Sequence, residues 1–196
     1  MKKLFTAQDL SLATALGNLG FTNPFGIERI ALEKQILGDA YTPAFHVWVI
    51  TPTHQGFSPN LAKLSQCAEA LLAKAQQSLQ TGYTPNSQEW EVYGELALYV
   101  LYYRYESAFY QVVTEEHLSR VVLPFFGRFS KDWHAIFGTT PLAQQHQYQL
   151  EHMFALFFQI RRAFHFIFRA ILGTSQAASN LRMAVWQSIF GYNIRR

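Results

Sequence analysis

The segment LALYVLYYRYESAFY, residues 96–110, places the strongest constraint on the fold of this chain. Apolar and aromatic residues occupy nearly every position, so a helix built from it presents an apolar surface in almost every direction. Such a helix needs neighbours all around it and belongs at the centre of a bundle. We expect it to begin at Asn86 or Ser87, which can cap it, and to end near Glu116.

Flanking segments repeat apolar residues at the spacing of an amphipathic helix. The clearest cases are residues 61–79 and a long run from about 142 to 172. Shorter helices are expected at 10–19, 24–37, 125–137 and 175–190. Residues 44–50 alternate as in a strand, and we expect an isolated extended segment there. The chain is therefore predicted to be all-α, a helical bundle of about five to seven helices with an aromatic-rich core.

Composition narrows the class of protein. Of the 196 residues, 49% are hydrophobic and only 15% are charged, which excludes a disordered or acidic tail protein. The single cysteine, Cys67, excludes an intrachain disulfide and is expected to be a small hydrophobe inside a helix. The N-terminus lacks the apolar stretch of a signal peptide, and charged residues interrupt the two most apolar stretches. We therefore expect a cytoplasmic protein without a transmembrane helix.

Charge is unevenly distributed along the chain. Residues 1–151 carry ten Lys or Arg and thirteen Asp or Glu, whereas residues 152–196 carry six Arg and no acidic residue. Such a block of one sign indicates either a face that meets an anionic partner or arginines that pair with acids of the first part. Because no nucleic-acid-binding motif is present, we expect no direct contact with nucleic acid.

Motifs of the common catalytic and metal sites are missing. The sequence contains no GxxxxGK(S/T), GxGxxG, HExxH, CxxC or GxSxG, and no HxxxH pair among its seven histidines. We therefore expect no catalytic residue, no metal site and no cofactor, and we expect that the chain is not an enzyme.

Charged residues inside the two most apolar helices are the candidate site. Glu106 lies in one helix, and Arg161, Arg162 and His165 lie in the other. Charges in an apolar setting must be paired, so one interpretation is a structural ion pair of Glu106 with Arg161 or Arg162. The other is a polar anchor in an aromatic-lined ligand pocket. The candidate ligand-binding residues are Tyr103, Glu106, Arg161, Arg162 and His165.

Two stretches carry a resemblance to a known family. Residues 171–190, ILGTSQAASNLRMAVWQSIF, resemble the opening of the central AAA+ domain in bacterial enhancer-binding proteins, the activators of sigma-54 RNA polymerase. Residues 23–38, NPFGIERIALEKQILG, resemble the N-terminal region of a subgroup of these proteins. The positions that match the AAA+ opening are Ile171, Leu172, Gly173, Ser175, Ala177, Ala178, Leu181 and Arg182.

The resemblance implies a signal-sensing regulatory domain at 1–172, followed at 173–196 by a linker and the first helix of an AAA+ domain. The implied partners are the AAA+ ATPase domain of the same polypeptide, a small-molecule or protein effector, and further copies in a homo-oligomer. The ATPase itself is expected beyond residue 196, and the helix at about 142–172 is the expected lever toward it. The alternative is a stand-alone helical protein that binds a small molecule or haem, with His152 or His165 as a possible axial ligand.

Overall fold

The computed structural model describes residues 3–43, 59–114 and 125–191, except for the side chain of His146. This part of the chain forms seven α-helices and no strand, which confirms the all-α bundle. The helices are α1 Ala7–Phe21, α2 Ile27–Leu37, α3 Pro59–Gln80, α4 Ser87–Thr114, α5 Phe126–Phe137, α6 Leu150–Ala170 and α7 Gln176–Phe190. Short 3₁₀ turns occur at Gly38–Ala40, Pro141–Gln144 and His146–Tyr148. The extended segment expected at 44–50 lies outside the described residues.

Helix α4 is the centre of the bundle, as its all-round apolar sequence predicts. It packs against α1, α3, α5 and α6. The side chain of Phe109 is fully buried, and its ring meets those of Phe125, Phe129, Phe154 and Phe157 at centroid distances of 5.0–6.3 Å. Burying each ring of this size stabilises the fold by about 1.5–3 kcal/mol, so this aromatic cluster holds the central helices together.

Hydrogen bonds of capping residues define where two of the helices begin. At α4, Asn86 Oδ1 accepts from the backbone N–H of Glu89, and Glu89 Oε2 accepts in return from the N–H of Asn86, both at 3.0 Å. This reciprocal pair satisfies two amides that have no partner inside the helix. At α7, Ser175 Oγ accepts from the N–H of Ala178. The start of α4 was predicted from Asn86 or Ser87 as the capping residue, and the helix at 175–190 was predicted from its apolar pattern.

Two predicted boundaries are wrong. The second helix begins at Ile27 rather than at residue 24, because Asn23 Oδ1 accepts from the Phe25 N–H and turns the chain before the helix. The helix predicted from 142 begins only at Leu150, since the preceding residues fold back as 3₁₀ turns. There Tyr148 is buried against α4, so close to Gly94 that a methyl group at that position would collide with the tyrosine ring.

Arg104 joins three helices at the surface of the bundle. Its guanidinium donates to both carboxylate oxygens of Glu69 on α3, at 3.0 and 2.7 Å, and to Asp132 Oδ2 on α5, at 2.8 Å. The Tyr105 hydroxyl donates to the same Asp132 oxygen. The charge of Arg104 within the apolar helix is therefore explained by structural pairing at the edge of the core. In the described part of the chain, no helix combines the length and apolar character needed to cross a bilayer.

Candidate functional site

A cavity of about 70 Å³ lies where α1, α4 and α6 meet α7. Most of its wall is apolar and comes from Leu98, Met153, Leu156, Phe157, Ile160 and Phe164. Trp186 of α7 closes one side, and Thr22 and Pro24 of the α1–α2 loop contribute another. The cavity is thus shared between the central bundle and the last helix.

A buried arginine forms the polar end of the cavity. Arg29 Nε donates to Glu33 Oε1 at 2.8 Å within α2, and Arg29 Nη2 donates to the Tyr103 hydroxyl on α4 at 3.0 Å. Burial disfavours the charged guanidinium, but Tyr103 and Glu33 outweigh that cost and raise the pKa of Arg29. The arginine therefore stays charged, and its charge is already balanced inside the protein.

Tyrosines line the same end of the cavity. The rings of Tyr99 and Tyr103 pack at a centroid distance of 4.6 Å, and Tyr102 packs edge-on against Tyr103 at 5.1 Å. Burial raises the pKa of Tyr99 and of Tyr102 well above the usual value, and it also raises the pKa of Tyr103. All three hydroxyls therefore remain neutral and protonated at ordinary pH. The Tyr99 hydroxyl is buried and lies near that of Tyr103, but it makes no hydrogen bond of suitable geometry among the described residues.

The Glu106–Arg161 pair connects the two long helices beside this cavity. Glu106 Oε1 lies 3.3 Å from Arg161 Nη1, and the guanidinium of Arg161 lies over the ring of Tyr110 at 4.4 Å. The Arg161 side chain is 7% exposed and that of Glu106 is 21% exposed. This geometry confirms the structural ion pair, with Arg161 rather than Arg162 as the partner.

His165 packs beside the same tyrosine, with its ring centroid 5.9 Å from that of Tyr110. Burial, followed by the nearby charges of Arg169 and Arg161, lowers the pKa of His165 below its ordinary value. Arg162 is exposed and lies over the ring of Phe166 at 5.8 Å. The histidine is therefore neutral at pH 7, which suits a position between two arginines.

The five candidate residues thus fall into different places. Tyr103 lines the cavity, Glu106, Arg161 and His165 gather around Tyr110, and Arg162 faces outward. Sequence reasoning missed Arg29 and Tyr99, because the approach of α2 to α4 brings them to the cavity. One signal was available: Arg29 and Glu33 stand four residues apart in an otherwise apolar helical face.

The α1–α2 loop anchors α7 to the bundle. Phe25 is 1% exposed, and its ring packs against those of Phe164, Phe168 and Trp186 at 5.6, 5.3 and 6.0 Å. The Ser179 hydroxyl donates to the carbonyl oxygen of Phe25 at 3.0 Å. The side-chain amide of Asn23 donates to the carbonyl oxygen of Met183 at 3.1 Å. The ring contact with Trp186 and the two hydrogen bonds therefore join the loop directly to α7.

Arg182 fixes the turn between α6 and α7. Its guanidinium, almost fully buried, donates twice to the carbonyl oxygen of Ile171, at 3.1 and 2.9 Å, and also to that of Gly173. It lies over the ring of Phe168 at 5.1 Å. These bonds satisfy the carbonyl groups of Ile171, the C-cap of α6, and of Gly173 in the following turn, which have no partner within the helix. The turn is therefore held by the helix that follows it.

The described residues offer little support for a metal site or a reactive cysteine. No group of three or more His, Cys, Asp or Glu side chains in them is placed to hold a metal ion. Cys67 is partly buried, and burial raises the pKa of its thiol, which disfavours the reactive thiolate. Comparison of the chain with models of protein families, with curated proteins and with solved structures finds no match.

Proposed function

We propose that this chain is a signal-sensing regulatory domain that controls a sigma-54-dependent AAA+ transcription activator. One observation carries the proposal. The two stretches that resemble enhancer-binding proteins, 23–38 and 171–190, contact each other through Asn23 with Met183 and through Phe25 with Ser179 and Trp186. A sensing bundle that holds the entrance helix of the ATPase has a direct physical means of controlling it.

In this proposal the signal changes how tightly α7 is held. A molecule that binds better when α7 is docked shifts the equilibrium toward docking, and the shift is limited by its difference in affinity for the two states. Helix α6 leads to the Arg182-fixed turn, so a movement of α6 is passed to α7. A signal molecule bound in the cavity would contact α7 directly, because Trp186 forms part of the cavity wall.

The outer face of α7 supports a further partner. Leu181 and Ile189 are 54% and 52% exposed, and Leu172 in the preceding turn is also exposed. Exposed apolar residues grouped on one helix are typical of an interaction surface. We assign this surface to the AAA+ domain of the same polypeptide, which forms a homo-oligomer in the cytoplasm. The exposed Arg162 and Arg169 of α6 add positive charge that suits an acidic partner.

The reading frame beyond residue 196 provides the first test. A GxxxxGK(S/T) loop within roughly thirty residues is expected from the resemblance, and a stop codon at that point contradicts the regulatory role. In such a polypeptide, Phe25→Ala should change the ATPase activity measured without signal, because it weakens the docking of α7. Ile27→Ala, two residues away and 68% exposed, is the matched control and should leave that activity unchanged. If deleting residues 1–170 leaves the ATPase activity unchanged both with and without signal, the proposal is refuted.

The cavity also favours a second candidate, a stand-alone protein that binds a small molecule. A volume of about 70 Å³ suits a small ligand and is far below the 300–1,000 Å³ of pockets for larger molecules. Nothing in this geometry favours haem, because His152 is exposed and His165 packs on Tyr110. A Soret band in the purified protein would support the haem version all the same. Native mass spectrometry of the purified chain tests for a retained small molecule.

A further inference from the structure

The cavity has an apolar body and one polar end, which limits the chemistry of a ligand. Leu98, Phe157 and Ile160 are among the apolar residues of the wall, whereas Arg29, Tyr99 and Tyr103 stand at the polar end. A molecule that matches this surface is mainly apolar and carries its polar atoms at one end.

The Tyr99 hydroxyl supplies the clearest demand for a partner. Tyr99 is 3% exposed, and its hydroxyl lies near that of Tyr103, but it makes no hydrogen bond of suitable geometry within the described residues. Buried polar groups in folded proteins are nearly always hydrogen-bonded, and an unpaired one lowers stability. An oxygen atom of a ligand in the cavity would provide the missing bond, either as acceptor or as donor.

The charges at the polar end argue against an ionised ligand. The guanidinium of Arg29 is already paired with the Glu33 carboxylate and bonded to the Tyr103 hydroxyl. A carboxylate would have to compete with Glu33 for this arginine, and it would also approach the side chain of Glu95 in the cavity wall. An ammonium would approach Arg29 itself, and the Glu95 carboxylate is already engaged within the protein. Either ion would lose its hydration without a free opposite charge, at a large cost in free energy.

We infer that the cavity binds a short, uncharged and mostly apolar molecule with a single hydrogen-bonding oxygen, such as an alcohol or ketone, whose oxygen lies at Tyr99. Its volume is about half that of an engineered cavity of about 150 Å³ that holds benzene, which indicates a body of roughly four carbon atoms. The inference rests on the proposed regulatory function in one respect, since it names the class of signal. Because Trp186 and Pro24 line the cavity, an occupant adds contacts to α7 and to the loop that anchors it.

The test uses 1-butanol as the probe, with butanoate and butylamine as charged counterparts of similar length. Each is titrated into the 196-residue chain, and binding is followed by NMR chemical shifts. We expect saturable binding of 1-butanol and much weaker binding of both ions. Tyr99→Phe should weaken the binding of 1-butanol about fivefold, the effect of one neutral hydrogen bond. Ile160→Trp should fill the cavity and abolish binding.

The control variant is Tyr110→Phe, which removes a hydroxyl from the same helix outside the cavity. It should leave the affinity for 1-butanol unchanged. Equal binding by the wild-type chain and the Ile160→Trp variant, or tighter binding of either ion, overturns the inference. Unchanged affinity in Tyr99→Phe overturns the assignment of the oxygen to Tyr99.

Hydrogen exchange of α7 separates the ligand site from the regulatory role. We expect 1-butanol to slow exchange of the backbone amides of Gln176–Phe190, because the occupied cavity favours the docked helix. Specific binding without any change in α7 keeps the ligand site but contradicts the proposed control of α7. Failure of binding, with a Walker A loop present in the reading frame, contradicts the ligand and leaves the regulatory role standing.

Discussion

Replacing Phe25 by alanine tests whether α7 is an integral part of the fold. The ring of Phe25 is buried and packs against three other aromatic rings from α6 and α7. Removing such a ring costs about 3–5 kcal/mol, which combines lost burial with the cavity that remains. For a chain of this size, each kcal/mol shifts the melting temperature by about 2–4 °C. We therefore expect a loss of roughly 6–20 °C in Phe25→Ala, provided that α7 and the bundle unfold together.

Thermal unfolding followed by circular dichroism measures the shift in melting temperature, and urea unfolding measures the loss of free energy of unfolding. Hydrogen exchange locates the destabilised region. Ile27→Ala is the control, because Ile27 is exposed and only two residues away, and it should change stability by less than about 0.5 kcal/mol. If α7 docks as a separate unit, exchange of its amides should rise in Phe25→Ala while the rest of the bundle stays protected. A loss below about 1 kcal/mol without faster exchange in α7 would refute the docking argument.

Three further predictions concern the interior of the bundle. Glu106→Ala should lower the free energy of unfolding by about 1–3 kcal/mol, because it leaves the buried Arg161 without its carboxylate, and unchanged stability in urea would exclude the structural pair. Tyr99→Phe should leave the stability of the ligand-free chain unchanged or raise it by up to about 1 kcal/mol, because it removes a hydroxyl without a partner; a clear loss of stability would mean that the hydroxyl is bonded. The pKa of His165 is lowered in the folded state, so the unfolded chain binds the proton more readily. The contribution of His165 to stability should therefore be complete above about pH 6.5 and be lost as the pH falls below it. His165→Gln should then reduce the pH dependence of the free energy of unfolding, measured from about pH 7.5 to 5.

Much of the architecture was predictable because it depends on local patterns. The apolar spacing that defines a helix repeats within a few residues, and the cap of α4 was predicted at Asn86 or Ser87, of which Asn86 makes the capping bond. The failures occurred where distant contacts overrode a local signal. Pro24 looked like a first helical residue, but Asn23 is engaged with its own loop and with Met183, so α2 starts later.

The candidate site shows the same division. Sequence reasoning selected Glu106 and Arg161 as charges that require pairing, and the structure pairs them. It did not select Arg29 or Tyr99, because the spacing of Arg29 and Glu33 indicates at most a charge pair within α2, and only the packing of α2 on α4 creates a shared cavity. Tyr103 was selected for its place in an aromatic helix, and it does line the cavity together with Tyr99.

The sequence by itself determined the helical class, the central position of α4 and the need to neutralise charges inside apolar helices. These properties follow from periodicity and from the free energy of burying each residue type, which act within a single helix. Only the tertiary structure decided the cavity, its polar end and the anchoring of α7. Those features join Arg29 to Tyr103 across 74 residues and Asn23 to Met183 across 160. Such contacts depend on how the helices cross, which side-chain packing throughout the bundle determines.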